Sequence, residues 1–270
     1  MEFDRRVILA IVAGMVGSTG FGSDASAREG DDFAHPFRHD PNLHDDIAML
    51  VYPEMTILDL VGPYYFLSLI GGAKIHLITT QPDLSPVISD TGMGIQPTKT
   101  MADCPRDLTL LFVPGGSGGN LRTARDGATI AFLRDRASRA KYITSVCTGA
   151  LILGVAGLLR GRRATTHWSV LDALPHFGAI PVRERVVEDG NLITAAGVSA
   201  GLDFGVLMVD RLRGRPWAEA ATLVAQYAPE PPFAVGTPET ARPDIRVAVT
   251  DVFKEYIDQA MTLRPAPGSI

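Results

Sequence analysis

The chain has 270 residues, 46% hydrophobic and 20% charged, the composition of a protein that buries an ordinary core. A formal net charge of -5 leaves no basic surplus to attract a nucleic-acid backbone, so no nucleic-acid partner is expected. Two cysteines, Cys104 and Cys147, in a chain this long argue against a disulfide scaffold.

The amino-terminal segment differs from the rest. Asp4, Arg5 and Arg6 precede the apolar run at 7–17, and Ala25-Ser26-Ala27 closes the segment. A charged start, a short apolar centre and an A-x-A end predict a signal peptide over 1–27, and with it a periplasmic or secreted protein. A segment that does not act as a signal leaves the protein cytoplasmic. The run is too short to span a bilayer comfortably, so no stable membrane insertion is expected. Residues 28–44 read as a polar linker, with Pro36 and Pro41 opposing regular structure. One domain is expected over 45–262 and a flexible tail over 263–270.

From Asp46 the pattern changes. Residues 46–52 (DIAMLVY) are an apolar run stopped by Pro53, the signature of a buried parallel strand. Residues 58–69 repeat apolar side chains at helical spacing and stop at Gly71-Gly72. A second strand follows at 73–80, then a short hairpin from 86–89 and 92–96 around Asp90 and Gly92. Residues 108–113 are a third core strand, ending at Pro114-Gly115-Gly116. A helix is expected over 126–139, a fourth strand over 141–146, and a helix from Thr148 to Leu159. Weaker strands are read at 162–166, 179–182, 185–188 and 192–195, and helices at 198–213, 216–227 and 244–260. This alternation predicts an α/β fold, a mostly parallel sheet with helices on both faces. Sites in such folds gather at the carboxyl ends of the strands.

Cys147 occupies such a place. In KYITSVCTGALILG a strand runs directly into the cysteine and a helix follows, the pattern of a nucleophile elbow. The helix amino terminus offers free N–H groups and a positive dipole end, which favour thiolate and predict a lowered pKa. A buried structural cysteine is the plain alternative. Gly115 and Gly116 end the neighbouring strand, so their N–H groups are candidates to stabilise developing negative charge or orient an intermediate. Thr148 adds a further N–H and a hydroxyl, unless it only caps the helix. Asp59, after the first strand, either caps its helix or points into the site as a proton relay. His167, beside Trp168, is either a partner of the thiol or a satisfied structural residue. Leu60, Tyr64, His167 and Trp168 are candidate walls of a substrate pocket. Histidines and cysteines show no zinc-ligand spacing, so no metal is expected, and no glycine fingerprint for a nucleotide is present.

The stretches ILDLVGP, PGG, YITSVCTGALILGVAGLL, RATTHW, IPVRERVVEDGN, GLDF and YAPEPPF together resemble the PfpI-like cysteine superfamily over about residues 46–235, and within it the isonitrile hydratases. The resemblance implies a flavodoxin-like fold, a homodimer and no cofactor. It places the nucleophile on Cys147, the required acid on Asp59 and a further site residue on Thr148. It implies addition of water to a hydrophobic isonitrile to give an N-substituted formamide, through a cysteine thioimidate. Other members leave alternatives: another cofactor-free cysteine hydrolase, a glyoxalase- or deglycase-like enzyme, or a non-catalytic thiol sensor. Thr148, where a peptidase would carry histidine, argues against proteolysis. The amino-terminal segment lies outside the resemblance.

Overall fold

The computed structural model describes residues 44–265. The expected signal peptide lies outside them, as do the linker apart from His44 and the tail beyond residue 265.

The strands form where apolar runs are densest. The first, β1 (Asp45–Val51), is followed by α1 (Ile57–Ser68), β2 (Ala73–Thr79), β3 (Val87–Ile88), β4 (Gly94–Ile95) and β5 (Lys99–Thr100). Then come β6 (Leu110–Val113), α2 (Gly118–Arg125), α3 (Gly127–Ala137), β7 (Tyr142–Val146) and α4 (Gly149–Val155). After β8 (Arg163–Ala164) a 3-10 helix occupies Trp168–Phe177, followed by β9 (Ile180–Pro181), β10 (Val186–Asp189) and β11 (Leu192–Ala195). Three helices complete the described chain: α5 (Ala200–Arg213), α6 (Arg215–Val224) and α7 (Pro243–Ala260).

Seven strands make one sheet in the order β10-β11-β7-β6-β1-β2-β5, parallel throughout except for the antiparallel pair β10 and β11. β3 and β4 form the expected hairpin outside it. Helices α1, α5 and α6 pack on one another, while α2, α3, α4, the 3-10 helix and α7 form a second group. With both faces covered, the central strands have no polar side to show, which is why residues 47–52 and 110–113 are continuously buried. Phe112 from β6 and Phe204 from α5 meet in this core with ring centroids 5.7 Å apart.

The chain runs from β1 to β2 on one side, then returns to place β6 on the other side of β1. That reversal is the topological switch point of the sheet, and a crevice opens at the carboxyl ends of the strands flanking it. Tyr52 follows β1, Pro114-Gly115-Gly116 follows β6, and Cys147 follows β7, so the three loops lie side by side.

Several elements depart from expectation. Helix α2 was not anticipated; GGNLRTAR has two glycines and little apolar periodicity, and the helix buries Asn120 and Thr123 beside small residues. The 3-10 helix at Trp168–Phe177 was also unexpected, since Pro175 and a kink at Val170 disrupt the α-helical pattern. Helix α4 is shorter than predicted, because Gly157 adopts φ +79° and turns the chain away. The expected flexible tail begins too early: Leu263 is buried, and its carbonyl lies 2.7 Å from His176 Nε2.

Candidate active site

Cys147 sits at the bend between β7 and α4 with φ +55°, in the left-handed region that side chains seldom enter. The turn is held on both sides. Cys147 N–H donates to the carbonyls of Ala195 and Ala196 at 3.0 and 2.8 Å, and Thr166 Oγ1 donates to the Cys147 carbonyl at 2.8 Å. Gly149 makes the bend sterically open, since a Cβ there would fall 2.3 Å from the Val113 carbonyl oxygen. This geometry projects the thiol over the end of the sheet.

Asp59 lies in the first turn of α1 but caps nothing; the cap position is Thr56, which makes no side-chain capping bond. The Asp59 carboxylate faces the loop after β6, where Gly115 N–H donates to Oδ2 at 2.9 Å. Its other oxygen, Oδ1, is buried and has no hydrogen-bond partner among the described residues in a formed geometry. The Cys147 thiol lies within hydrogen-bonding reach of the carboxyl group. Asp59 is 0% exposed, and that burial is the main reason its pKa rises to about 7; the Gly115 and Cys147 hydrogen bonds oppose the rise. The group therefore gains and loses a proton near neutrality.

The thiol behaves differently from the helix-dipole expectation. Burial pushes Cys147 well up from the usual thiol range, and the Asp59 carboxylate pushes it further. The Thr148 N–H at the start of α4 does favour the thiolate, but it is the weaker influence. The resting pair is therefore a thiol beside a carboxyl group, with Asp59 the acceptor for the thiol proton. The expected lowering is corrected by the depth of the site: the sulfur has lost its water, and one short helix end does not replace it.

The glycines are also placed differently from expectation. Gly115 and Gly116 do lie beside the elbow, but their N–H groups are occupied. Gly115 holds Asp59, and Gly116 N–H donates to Thr148 Oγ1 at 2.9 Å. Thr148 Oγ1 in turn donates to the Gly116 carbonyl at 2.7 Å. These loops fix the acid and the threonine to each other, and both N–H groups are engaged by those side chains. Gly115 must be glycine for this: a Cβ there would lie 2.6–2.7 Å from Thr148 N, Asp59 Oδ2 and Thr148 Oγ1.

Three residues of the site were not anticipated. Tyr52 donates from its hydroxyl to the Pro114 carbonyl at 2.8 Å. Asn120, fully buried on α2, donates from Nδ2 to the Thr148 carbonyl at 3.0 Å and toward the Tyr52 hydroxyl at 3.5 Å. Tyr256 on α7 donates to Asn120 Oδ1 at 2.9 Å, and Cys147 and Asp59 both bear on its hydroxyl electrostatically. Burial pushes both tyrosines up, so they remain neutral donors. The polar tip of Tyr52 at the end of an apolar strand is a signal that could have pointed to it; no local signal marks Asn120.

A cavity of about 440 Å³ lies beside Thr166 and Ala196, which hold the backbone of the elbow, with Leu58, His167, Trp168, Arg183 and Glu184 also in its wall; Cys147, Thr148 and Asp59 do not line it. His167 Nδ1 is 2.7 Å from Ser169 Oγ, and burial lowers its pKa to about 4, so it is neutral at ordinary pH. No contact joins His167 to the thiol; its ring packs against Trp168 and Phe253, with centroids 5.5 and 5.4 Å away. Leu60 and Tyr64 do not line this cavity. Leu60 is a core residue, 1% exposed, and Tyr64 is 39% exposed on the outer face of α1, because helical spacing turns both away from Leu58.

Comparison with known proteins gives matches across the same region. The model of the DJ-1/PfpI family matches residues 45–211. An isonitrile hydratase from Pseudomonas putida is 48% identical over 196 residues, covering 72% of this chain and 84% of that protein. A crystal structure of a ThiJ/PfpI family protein from Pseudomonas syringae superposes with a TM-score of 0.82 at 50% identity, covering 88% of this chain and 97% of that one. A DJ-1 superfamily protein from Salmonella typhimurium, 25% identical, gives a TM-score of 0.62, covering 69% of this chain and all of its own.

Proposed function

The chain belongs to the DJ-1/PfpI family, and we propose that within it this protein is an isonitrile hydratase that works through Cys147 and Asp59. The observation that carries the reading is the pair itself: a buried carboxyl group poised at about pH 7 beside a thiol whose proton it can take. The similarity to the Pseudomonas putida hydratase supplies the substrate class.

In this reading Asp59 removes the Cys147 proton as the sulfur attacks the terminal carbon of R–N≡C. The carbon–sulfur bond forms, and Asp59 passes the proton to that carbon, giving the thioimidate R–N=CH–S–Cys147. Asp59, again a carboxylate, then takes a proton from water as its oxygen adds to the same carbon, and the proton goes to nitrogen. The carbon–sulfur bond breaks, the sulfur regains a proton, and R–NH–CHO leaves. One acid serves both halves because its pKa lies near the working pH. The thiol need not rest as thiolate, since its base sits beside it.

Formamide production from cyclohexyl isocyanide by purified protein tests this. Wild type should turn over, Cys147→Ala should not, and intact-mass spectra should catch an isonitrile adduct on wild type alone. Full activity in Cys147→Ala would overturn the mechanism. No turnover by folded wild type would overturn the substrate.

A further inference from the structure

Helix α7 lies beyond the stretch that the family model matches, which ends at residue 211. A largely exposed segment over 228–242, with a hydrogen-bonded turn at Thr237–Ala241, leads to it, and of the eighteen residues of α7 only Ala260 is buried. Yet this lightly anchored helix reaches the deepest part of the site. Phe253 packs its ring on His167 and, edge to face, on Trp168 at 6.3 Å. One turn later, Tyr256 hydrogen-bonds Asn120 Oδ1, and the other end of that amide holds the Thr148 carbonyl. The Tyr256 hydroxyl also lies within hydrogen-bonding reach of the Thr148 side chain.

We propose that Tyr256 is a positioning residue for Cys147: through Asn120 it holds the Thr148 carbonyl, and Thr166 holds the carbonyl of the preceding peptide, so that the two together fix the backbone turn that carries the Thr148 N–H beside the sulfur. The chain of bonds is continuous from α7 to α2 to the elbow, part-buried at Tyr256 and fully buried from Asn120 inward. Asn120 has no slack, because both of its amide atoms are engaged and the residue is 0% exposed. Without the tyrosine hydroxyl, Oδ1 loses its donor, and a buried amide left half-satisfied turns to find another. That rotation releases the Thr148 carbonyl and leaves the turn pinned on one side only, by Thr166 at the Cys147 carbonyl, so the Thr148 N–H is held less firmly. The ionisable groups facing the sulfur are Asp59 from α1, Tyr52 after β1 and Tyr256 from α7, with Asp90 acting on Asp59. The two tyrosines are neutral, Asp59 opposes the thiolate, and Thr148 alone favours it, so loss of the Thr148 donor shows most clearly.

The experiment is alkylation of Cys147 by iodoacetamide across pH, followed by peptide mass spectrometry so that Cys104 is read separately. It does not depend on the hydration reading. Tyr256→Phe, which keeps the ring, should slow alkylation near neutral pH about fivefold and move its midpoint up. Asn120→Ser, which severs the chain at its other joint, should shift the midpoint the same way, and the double variant should shift it no further. Ile257→Ala loosens α7 but keeps the hydroxyl; it should quicken alkylation at every pH without moving the midpoint. An unchanged midpoint in Tyr256→Phe, or profiles alike in Tyr256→Phe and Ile257→Ala, would show that α7 acts by packing alone and overturn the proposal. Isonitrile hydration is the second readout and rests on the proposed function: kcat should fall about fivefold in Tyr256→Phe with KM little changed. A moved midpoint with no hydration in wild type would sink the substrate and leave this role standing.

Discussion

Replacing Asp59 with asparagine should remove turnover and, above neutral pH, make the protein more stable. In the folded state the Asp59 pKa is raised from 3.8 to about 7, chiefly by burial. The folded state therefore keeps a proton that the unfolded chain releases, and stability falls as pH rises through that window and levels off above it. At about 1.4 kcal/mol per unit, the full shift corresponds to about 4 kcal/mol withheld from folding at alkaline pH. Asparagine is nearly isosteric, and its oxygen can still accept the Gly115 N–H, so it carries no such charge penalty. Between about pH 5 and about pH 8 the stability of Asp59→Asn relative to wild type should grow by about 2–3 kcal/mol. Urea denaturation at the two pH values measures it, with the slope of each transition checked for constancy. His167 works in the opposite sense, its lowered pKa costing stability on acidification, but it is common to both proteins and cancels in the difference. Parallel pH profiles for the two proteins would refute the claim that Asp59 is held neutral by burial, and with it the two-way proton traffic assigned to this acid.

Other outcomes follow from the same geometry. Gly115→Ala forces a Cβ into the space between Asp59 and Thr148, and should abolish activity while lowering stability by about 1–3 kcal/mol, read by thermal or urea melts. A Gly115→Ala protein with normal turnover would mean the acid and threonine need not be locked together. Trp168→Ala enlarges the cavity wall and should change KM more than kcat, to a degree that depends on the size of the isonitrile substituent, measured over a series of alkyl and aryl isonitriles. An unchanged ranking of substrates would remove the cavity from the binding path.

The sheet was legible in the sequence because its strands are buried on both sides and so read as apolar runs bounded by proline and glycine. The elbow was legible for a related reason: KYITSV runs into a cysteine, then a threonine, a glycine and a helical run, and few structures other than a strand-to-helix turn fit that order. The acid needed more. Locally Asp59 could cap a helix or face the site, and only the resemblance, then the Gly115 contact, separated those roles. What escaped was whatever depends on long-range closure. Asn120 looks like a loop residue in GGNLRT, yet it sits at the meeting point of residues 68 and 136 positions away. The glycine N–H groups were assigned to an intermediate because sequence gives adjacency but not direction, and side chains on the neighbouring loops had already claimed them. The thiol pKa went astray in the same manner: a helix terminus is visible in sequence, whereas the loss of water around the sulfur belongs to the assembled fold.

The 136 positions between Asn120 and Tyr256 also order events in time. A ribosome making about 5–20 residues per second delivers the tyrosine about 7–27 seconds after the asparagine it will meet. Within that interval the remaining strands and the elbow are made, while helix α7 does not yet exist. Every newly made molecule thus passes through a stage in which Cys147 is present without the helix whose Tyr256 closes the network beside it. Exposure is what makes a cysteine susceptible to oxidants and stray electrophiles. Damage at this position would accordingly accumulate with the rate of synthesis, and not with the age of the finished protein.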